Sequence, residues 1–255
     1  DSMRRRLPLG AKTGITWTSA TWNPVVGCTK VSPGCANCYA AQLHNQRHRA
    51  YQAGKLQNLP QYAEPFENVQ LFPERMLLPL TWRTPRRIFV NSLSDLFHEA
   101  VPTAFIAQVW AVMALAPRHT FQILTKRPER MREVISSPRF YEAVLDAAAF
   151  VRASRFELAA FPISNPTTSP LRNVWLGTSV ENRRWTTRVP ALVNTPAAVR
   201  FISAEPLLQG WSLRGMTNGY FEGDVPVWSL LHWVIVGGES GANARPMELD
   251  WARAL

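Results

Sequence analysis

Outside one stretch of eleven residues, Cys28 to Cys38, this sequence has no cysteine. A disulfide framework of the kind that holds small secreted domains together is therefore excluded, and free thiols point to a reducing, cytoplasmic setting. No apolar run is long enough to cross a bilayer, so no membrane partner is expected. Arg4, Arg5 and Arg6 are not followed by the apolar region of a secretory signal. No G-x-G-x-x-G follows the first predicted strand, which removes the main support for a dinucleotide-binding fold. Negative charge is also short: 18 Asp and Glu stand against 28 Lys and Arg, a net charge of +10. That excess attracts anions, so a nucleotide, a nucleic acid or an acidic protein is a candidate partner. The positive residues are spread rather than blocked, which equally fits arginine used as an ordinary surface cation.

The three cysteines themselves are spaced C-x6-C-x2-C in the loop Gly27-Cys28-Thr29-Lys30-Val31-Ser32-Pro33-Gly34-Cys35-Ala36-Asn37-Cys38. Thiols used as small core residues would be scattered; gathered thiols bind metal or carry redox chemistry. Three is one short of a closed four-thiolate shell. One reading is a 4Fe–4S cluster with three irons held by protein and the fourth open to a small ligand, the arrangement used by radical S-adenosylmethionine (SAM) enzymes. A second is zinc completed by His44 or His48. A third is a Cys35–Cys38 redox pair with Cys28 left over, and a fourth is three unliganded thiols. The commonest radical-SAM spacing is C-x3-C-x2-C, and this loop is three residues longer.

At 255 residues with 46% apolar composition, the chain reads as one large α/β domain over 13–255, preceded by a basic tail over 1–12. Strands are expected at 13–18, 87–91, 120–124, 173–177, 199–203 and 233–236, each a short apolar run. Helices are expected at 38–53, 73–80, 102–116, 127–135, 138–153 and 181–193, and from Leu249 onward. That last helix would have only a few residues before the chain ends, which reads as a shortened C-terminus. Irregular insertions fall near 54–85, 154–172 and 209–230, the last resembling an arm or hairpin. Six strands alternating with helices predict a parallel sheet covered by helices, either a partial (β/α)6 barrel or an open doubly wound sheet.

Each expected strand ends in polar residues: Ser92 and Asp95 after the second, Lys126 and Arg127 after the third, Ser179 and Glu181 after the fourth. Ser203 and Glu205 end the fifth, and Gly237, Gly238 and Glu239 end the sixth. In a parallel barrel these converge on the face that carries the cysteine loop. Acids and hydroxyls could hold the amino and ribose groups of SAM, and Lys126 and Arg127 a carboxylate or phosphate. Helix capping explains any one Ser, Asp or Glu at such a place. It does not explain Lys126 and Arg127, which oppose the helix dipole.

The segments Trp22-Asn23-Pro24, Gly27 to Ala40, Ser94-Asp95-Leu96-Phe97-His98, Leu124-Thr125-Lys126-Arg127-Pro128, Ser179-Val180-Glu181-Asn182, Ser203-Ala204-Glu205-Pro206 and Val236-Gly237-Gly238-Glu239-Ser240-Gly241 together resemble the phage-encoded three-cysteine-motif family, placed near the radical-SAM superfamily. The likeness runs in order from about Thr13 to Trp251. It implies a partial (β/α)6 barrel of the radical-SAM type, with a 4Fe–4S cluster on Cys28, Cys35 and Cys38, in a host cytoplasm if the chain is phage-encoded. It implies no particular reaction.

Two functions follow as expectations. One is radical-SAM chemistry on an anionic nucleotide or nucleic-acid substrate, with Ser92, Asp95, Lys126, Ser179, Glu181, Glu205 and the 237–239 segment contacting SAM or substrate. The other is a non-catalytic, metal-stapled phage protein, with zinc or a cluster as the staple. It would dock on a host protein or nucleic acid and could use loop tryptophans such as Trp22, Trp211 and Trp228 as anchors.

Overall fold

A computed structural model describes residues 13–154, 163, 165, 168–219, 225–241 and 243–255. The expected basic tail at 1–12 and most of the insertion at 154–172 lie outside the described residues. The chain begins with β1 (Ala20–Trp22), β2 (Val25–Val26), α1 (Tyr39–Gln52), β3 (Gln70–Leu71), α2 (Leu78–Thr81) and β4 (Arg87–Val90). It continues with α3 (Thr103–Leu115), β5 (Thr120–Thr125), α4 (Pro128–Ile135), α5 (Pro138–Ser154) and β6 (Val174–Ser179). It ends with α6 (Arg188–Val193), β7 (Val199–Ala204), β8 (Trp233–Val236) and α7 (Leu249–Ala254).

Six strands form one parallel sheet in the order β1-β4-β5-β6-β7-β8, and β2 and β3 form a separate antiparallel ribbon. The order never reverses. With right-handed crossovers the connecting helices must then fall on one face of the sheet. Register sorts the side chains accordingly. Ile88, Phe121 and Val174 lie level on the helix-covered face, as do Val90, Ile123 and Leu176. All six are buried in the core that α3, α5 and α6 share with the sheet. Trp110 of α3 meets Phe140 of α5 edge-on at 5.6 Å.

The opposite face is concave. Phe89, Gln122 and Trp175 share one level, and Leu124, Gly177, Phe201 and Trp233 share the next. Trp17 lies 4.7 Å from Phe89 of β4 and 6.0 Å from Trp233 of β8. Four strand intervals of a flat sheet would hold those strands about 19 Å apart. The sheet is therefore curled, and Trp17 fills its inside. This overturns the strand expected at 13–18. Thr13–Thr18 forms bends and turns, and the first strand starts at Ala20. β-branched and aromatic residues there suit a strand locally, but Trp17 is drawn inward to cover Phe89 and Phe201.

Three further boundaries differ. The helix expected at 181–193 starts later, with a 3-10 turn at Arg183–Thr187 and then α6, because Glu181 is committed to the interior. The helix expected at 73–80 divides into a 3-10 turn at Pro73–Arg75 and α2, with Pro79 at the start of α2. The insertion near 54–85 contains β3 and α2. Within 209–230, Thr217 bridges Pro226 in antiparallel fashion, a hairpin-like contact. Trp22 and Trp211 are buried in the core, whereas Trp228 is exposed. Among the described residues no helix is long and apolar enough to cross a membrane.

Candidate functional site

The cysteine loop is positioned from beneath by backbone. Gly27 donates to the Leu93 carbonyl (3.1 Å) and Cys28 to the Phe66 carbonyl (2.9 Å). Gly27 sits at φ 98°, and a Cβ there would fall 2.5 Å from the Asn68 carbonyl oxygen. Only glycine fits this left-handed, tightly backed position. Pro33–Cys35 makes a 3-10 turn, and α1 begins directly after Cys38.

The three thiols line one cavity of about 120 Å³, together with Asn91, Ser92, Asp95, Lys126, Arg127 and Ser179. A second, larger pocket of about 540 Å³ lies at the C-terminal ends of the strands. It is floored by Trp17 and Phe89 and edged by Lys126, Ser179, Ser203, Glu205, Gly238 and Glu239. Cys38, Tyr39, Phe89, Leu124, Lys126 and Ser179 line both, so the two spaces adjoin.

Arg127 organises the first cavity. Its side chain is 6% exposed. It donates through Nη1 to Asp95 Oδ2 (3.2 Å) and toward Cys28 Sγ (3.7 Å), and through Nη2 to Thr29 Oγ1 (3.0 Å). Its Nε faces both Glu99 oxygens at 3.0 Å. Burial pushes the Cys28 thiol up to about 11, with Asp95 adding to the rise and Arg127 opposing it. A bound metal would reverse that balance, because a coordinating thiol is deprotonated outright. Asp95 is saturated: it also accepts from Thr125 Oγ1 (2.7 Å) and from the amides of Phe97 and Lys126 (both 3.0 Å). It is a strut for the loop rather than a free ligand. His98 accepts the Ala100 amide at Nδ1 (3.1 Å), so its proton sits on Nε2 and is donated to Thr29 Oγ1 (2.8 Å).

Glu181 lines neither space. It is fully buried, accepts from Ser32 Oγ (2.5 Å) and pairs with Arg188 Nη1 (3.1 Å), with Lys126 Nζ at 3.8 Å. A Cβ on Gly34 would lie 2.5 Å from Glu181 Cγ, so the cysteine loop rests directly on this carboxylate. Glu181, expected to contact a cofactor, has its carboxylate engaged by Ser32 and Arg188 inside the fold. Gly237, also expected at the site, is not among the residues lining either space. It packs behind Glu205, and its neighbour Gly238 faces the pocket.

Glu239 edges the pocket but is clamped by Arg245 Nε (2.8 Å), the Arg245 amide (3.0 Å) and Asn37 Nδ2 (2.9 Å). Those hydrogen bonds, led by Arg245, hold its carboxyl down to about 2. Arg245 also reaches the Pro33 carbonyl (2.9 Å), so the segment after β8 ties down the cysteine loop. Ser92 lines the thiol cavity and donates to Asn23 Oδ1 (3.2 Å), while the Tyr39 hydroxyl donates to the Ser92 carbonyl (2.5 Å). Burial raises the Tyr39 pKa, with Cys38 and Glu205 adding to it. Partial desolvation at the pocket edge raises the Glu205 carboxyl, which is itself exposed and for which the described residues offer no cationic partner.

Two features were not foreseen. Asn91 directly follows β4 in the left-handed region at φ 61°, lines the thiol cavity and is 2% exposed. Its Nδ2 has no protein acceptor among the described residues. Arg127 was expected to bind an anionic ligand, but it faces Cys28 and two carboxylates instead. His44 and His48, considered as fourth zinc ligands, bond the Glu64 and Tyr62 carbonyls (2.9 and 2.8 Å) and line neither space. Among the described residues no group of three His, Cys, Asp or Glu is placed to hold a single metal ion. No curated protein and no solved structure matches the chain. Residues 12–255 match a family described as a protein of unknown function, DUF5131, and the chain belongs to that family.

Proposed function

We propose that this protein is a radical-SAM-type enzyme built on a partial (β/α)6 barrel. In this reading Cys28, Cys35 and Cys38 hold a 4Fe–4S cluster, and SAM occupies the adjoining pocket. The observation that carries it is the adjacency of the two spaces. Three thiols line a small cavity that shares Cys38 and Lys126 with a pocket of about 540 Å³. That volume lies within the usual range of small-molecule sites, roughly 300–1,000 Å³.

The residues fit the group. Zinc draws its thiolates to about 2.3 Å from one centre, whereas a cluster takes each thiolate on a different iron. Thiols spread around a cavity suit the second arrangement. The buried, unpartnered Asn91 Nδ2 is a donor that a thiolate or sulfide would satisfy. Arg127 offsets negative charge at Cys28. When bound, the cluster supplies one electron to SAM and so opens radical chemistry on a substrate. The chain's own part is placement. Trp17 and Phe89 shield the pocket floor from water, and Lys126, Ser179 and Ser203 offer polar contacts. Glu205 offers a carboxyl to a donor group on SAM or substrate.

The test is protein purified without oxygen. About four irons and four sulfides per chain, and 5′-deoxyadenosine released on adding SAM and dithionite, are expected. Cys35→Ala should lose iron and turnover while keeping a cooperative unfolding transition. One zinc and no sulfide would refute the reading and favour the non-catalytic, metal-stapled binding protein. Iron and sulfide without 5′-deoxyadenosine would refute the SAM chemistry alone.

A further inference from the structure

The two ends of the strands differ in their acids: the pocket end carries both signs of charge, and the segments just before the strands carry one. The segments that leave the C-terminal ends of the strands are mixed in charge, with Asp95, Glu99, Glu129, Glu181, Glu205 and Glu239 beside Lys126, Arg127, Arg183, Arg184 and Arg245. The segments that lead into the N-terminal ends, at 17–19, 82–86, 116–119, 168–173, 194–198 and 231–232, contain no Asp or Glu. Arginines gather there instead. Arg83, Arg86 and Arg87 precede or open β4, Arg118 precedes β5, and Arg172 precedes β6. β4, β5 and β6 are adjacent and parallel, so these five residues share one end of the sheet. None has a carboxylate partner among the described residues.

Two of the five are pre-set. Arg118 donates through Nε to the Trp82 carbonyl (2.8 Å) and through Nη2 to the Leu80 carbonyl (2.9 Å). Arg86 lies over the Trp82 ring at 4.7 Å. Those contacts have a structural role of their own, holding the end of α2. Arg83, Arg87 and Arg172 are exposed and have no such side-chain bond among the described residues.

We infer that this N-terminal rim is a docking surface for the phosphodiester backbone of a nucleic acid. The cations lie on or just before three neighbouring strands, themselves about 5 Å apart, rather than converging on one point. A row of that kind suits a repeating anion better than a single phosphate. Trp82 is 2% exposed and covered by Arg86, so it offers no face for stacking on a base. Recognition through phosphates alone is independent of sequence and strongly weakened by salt. Inside the pocket, by contrast, the one cation among the described lining residues, Lys126, faces buried Glu181 and shares the space with Glu205 and Glu239. The rim therefore holds a nucleic acid at the opposite end of the strands from the thiols, and the inference does not depend on what the thiols bind.

The experiment is fluorescence anisotropy of the full chain with a labelled DNA duplex of about 20 base pairs, two unrelated sequences, across 50–200 mM salt. Both sequences should bind alike. Arg83→Gln/Arg87→Gln/Arg172→Gln should weaken binding at 50 mM salt by tenfold or more. It should also reduce the slope of log K against log salt by about 2 to 3, since each phosphate contact contributes about 0.9. Arg49→Gln/Lys55→Gln/Arg184→Gln removes the same charge elsewhere and should bind as the unaltered chain does. Equal loss in both triple variants, no loss in the first, or no binding at 50 mM salt would overturn the inference. So would binding to phosphatidylserine vesicles in place of the duplex. Repeating the titration on Cys35→Ala separates this result from the cluster reading: affinity should be unchanged.

Discussion

Replacing Arg127 with Met removes the cation at the centre of the thiol cavity while keeping most of its volume. Arg127 and Asp95 are 6% and 7% exposed as side chains and 3.2 Å apart. Removing one partner of a buried ion pair costs about 3–5 kcal/mol, because the other charge stays buried and unpaired. Asp95 keeps Thr125 Oγ1 and the amides of Phe97 and Lys126, so the lower end, about 3 kcal/mol, is expected. For a chain of this size that is a fall in Tm of about 6–12 °C. The assay is urea unfolding of Arg127→Met, Asp95→Asn and the double variant. Asp95→Asn carries its own cost, since one amide hydrogen-bonding site is lost at Lys126 or Thr125. The double-mutant cycle removes that term and should leave a coupling of about 2 kcal/mol. A coupling under about 0.5 kcal/mol would refute the pair as the anchor of the loop. A loss under about 1 kcal/mol in Arg127→Met alone would do the same.

Three more outcomes follow from the same contacts. Gly34→Ala should destabilise by about 3 kcal/mol, measured by thermal unfolding. The new methyl would meet Glu181, which Ser32 and Arg188 hold in place; a neutral result would mean Glu181 can move. Burial is the main cause that lowers the pKa of His44, His98 and His119. The unfolded chain therefore takes up their protons first as pH falls below about 6.5, and stability should drop from pH 7 to 5, with up to about three protons of slope. Urea midpoints that rise on acidification would contradict this. Glu239 is the opposite case. Its carboxyl is held down to about 2 by Arg245, so the clamp contributes above the unfolded value of about 4.3 and is lost as pH falls toward about 2. Hydrogen exchange at 33–37 should be slow at pH 5 and fast in Glu239→Gln at the same pH; equal rates would show that the clamp does not hold the loop.

Periodicity was enough to read the sheet and its helices. β4 through β8 and α1, α3, α4, α5 and α7 fall within one or two residues of their expected places, since each strand is a short apolar run with breakers at its ends. The convergence of Ser92, Asp95, Lys126, Ser179, Ser203, Glu205, Gly238 and Glu239 with the cysteines was also legible, because parallel strands deliver all their C-terminal ends to one face. What each of those residues does there was not legible. Glu181 and Glu205 both follow strands and look alike in sequence. One is fully buried against Ser32 and Arg188, and the other lines the pocket without a cationic partner among the described residues.

Composition determined the class, the single cysteine site and the basic excess. Tertiary structure decided the rest through contacts between residues far apart in the chain. Arg127 meets Cys28 across 99 positions, and Asn37 meets Glu239 across 202. Trp17 abandons its local strand preference because the curl of the sheet leaves an apolar hollow that it can fill. A cation's partner, a carboxylate's solvent and a tryptophan's surroundings depend on which strands lie side by side, and local sequence does not encode that.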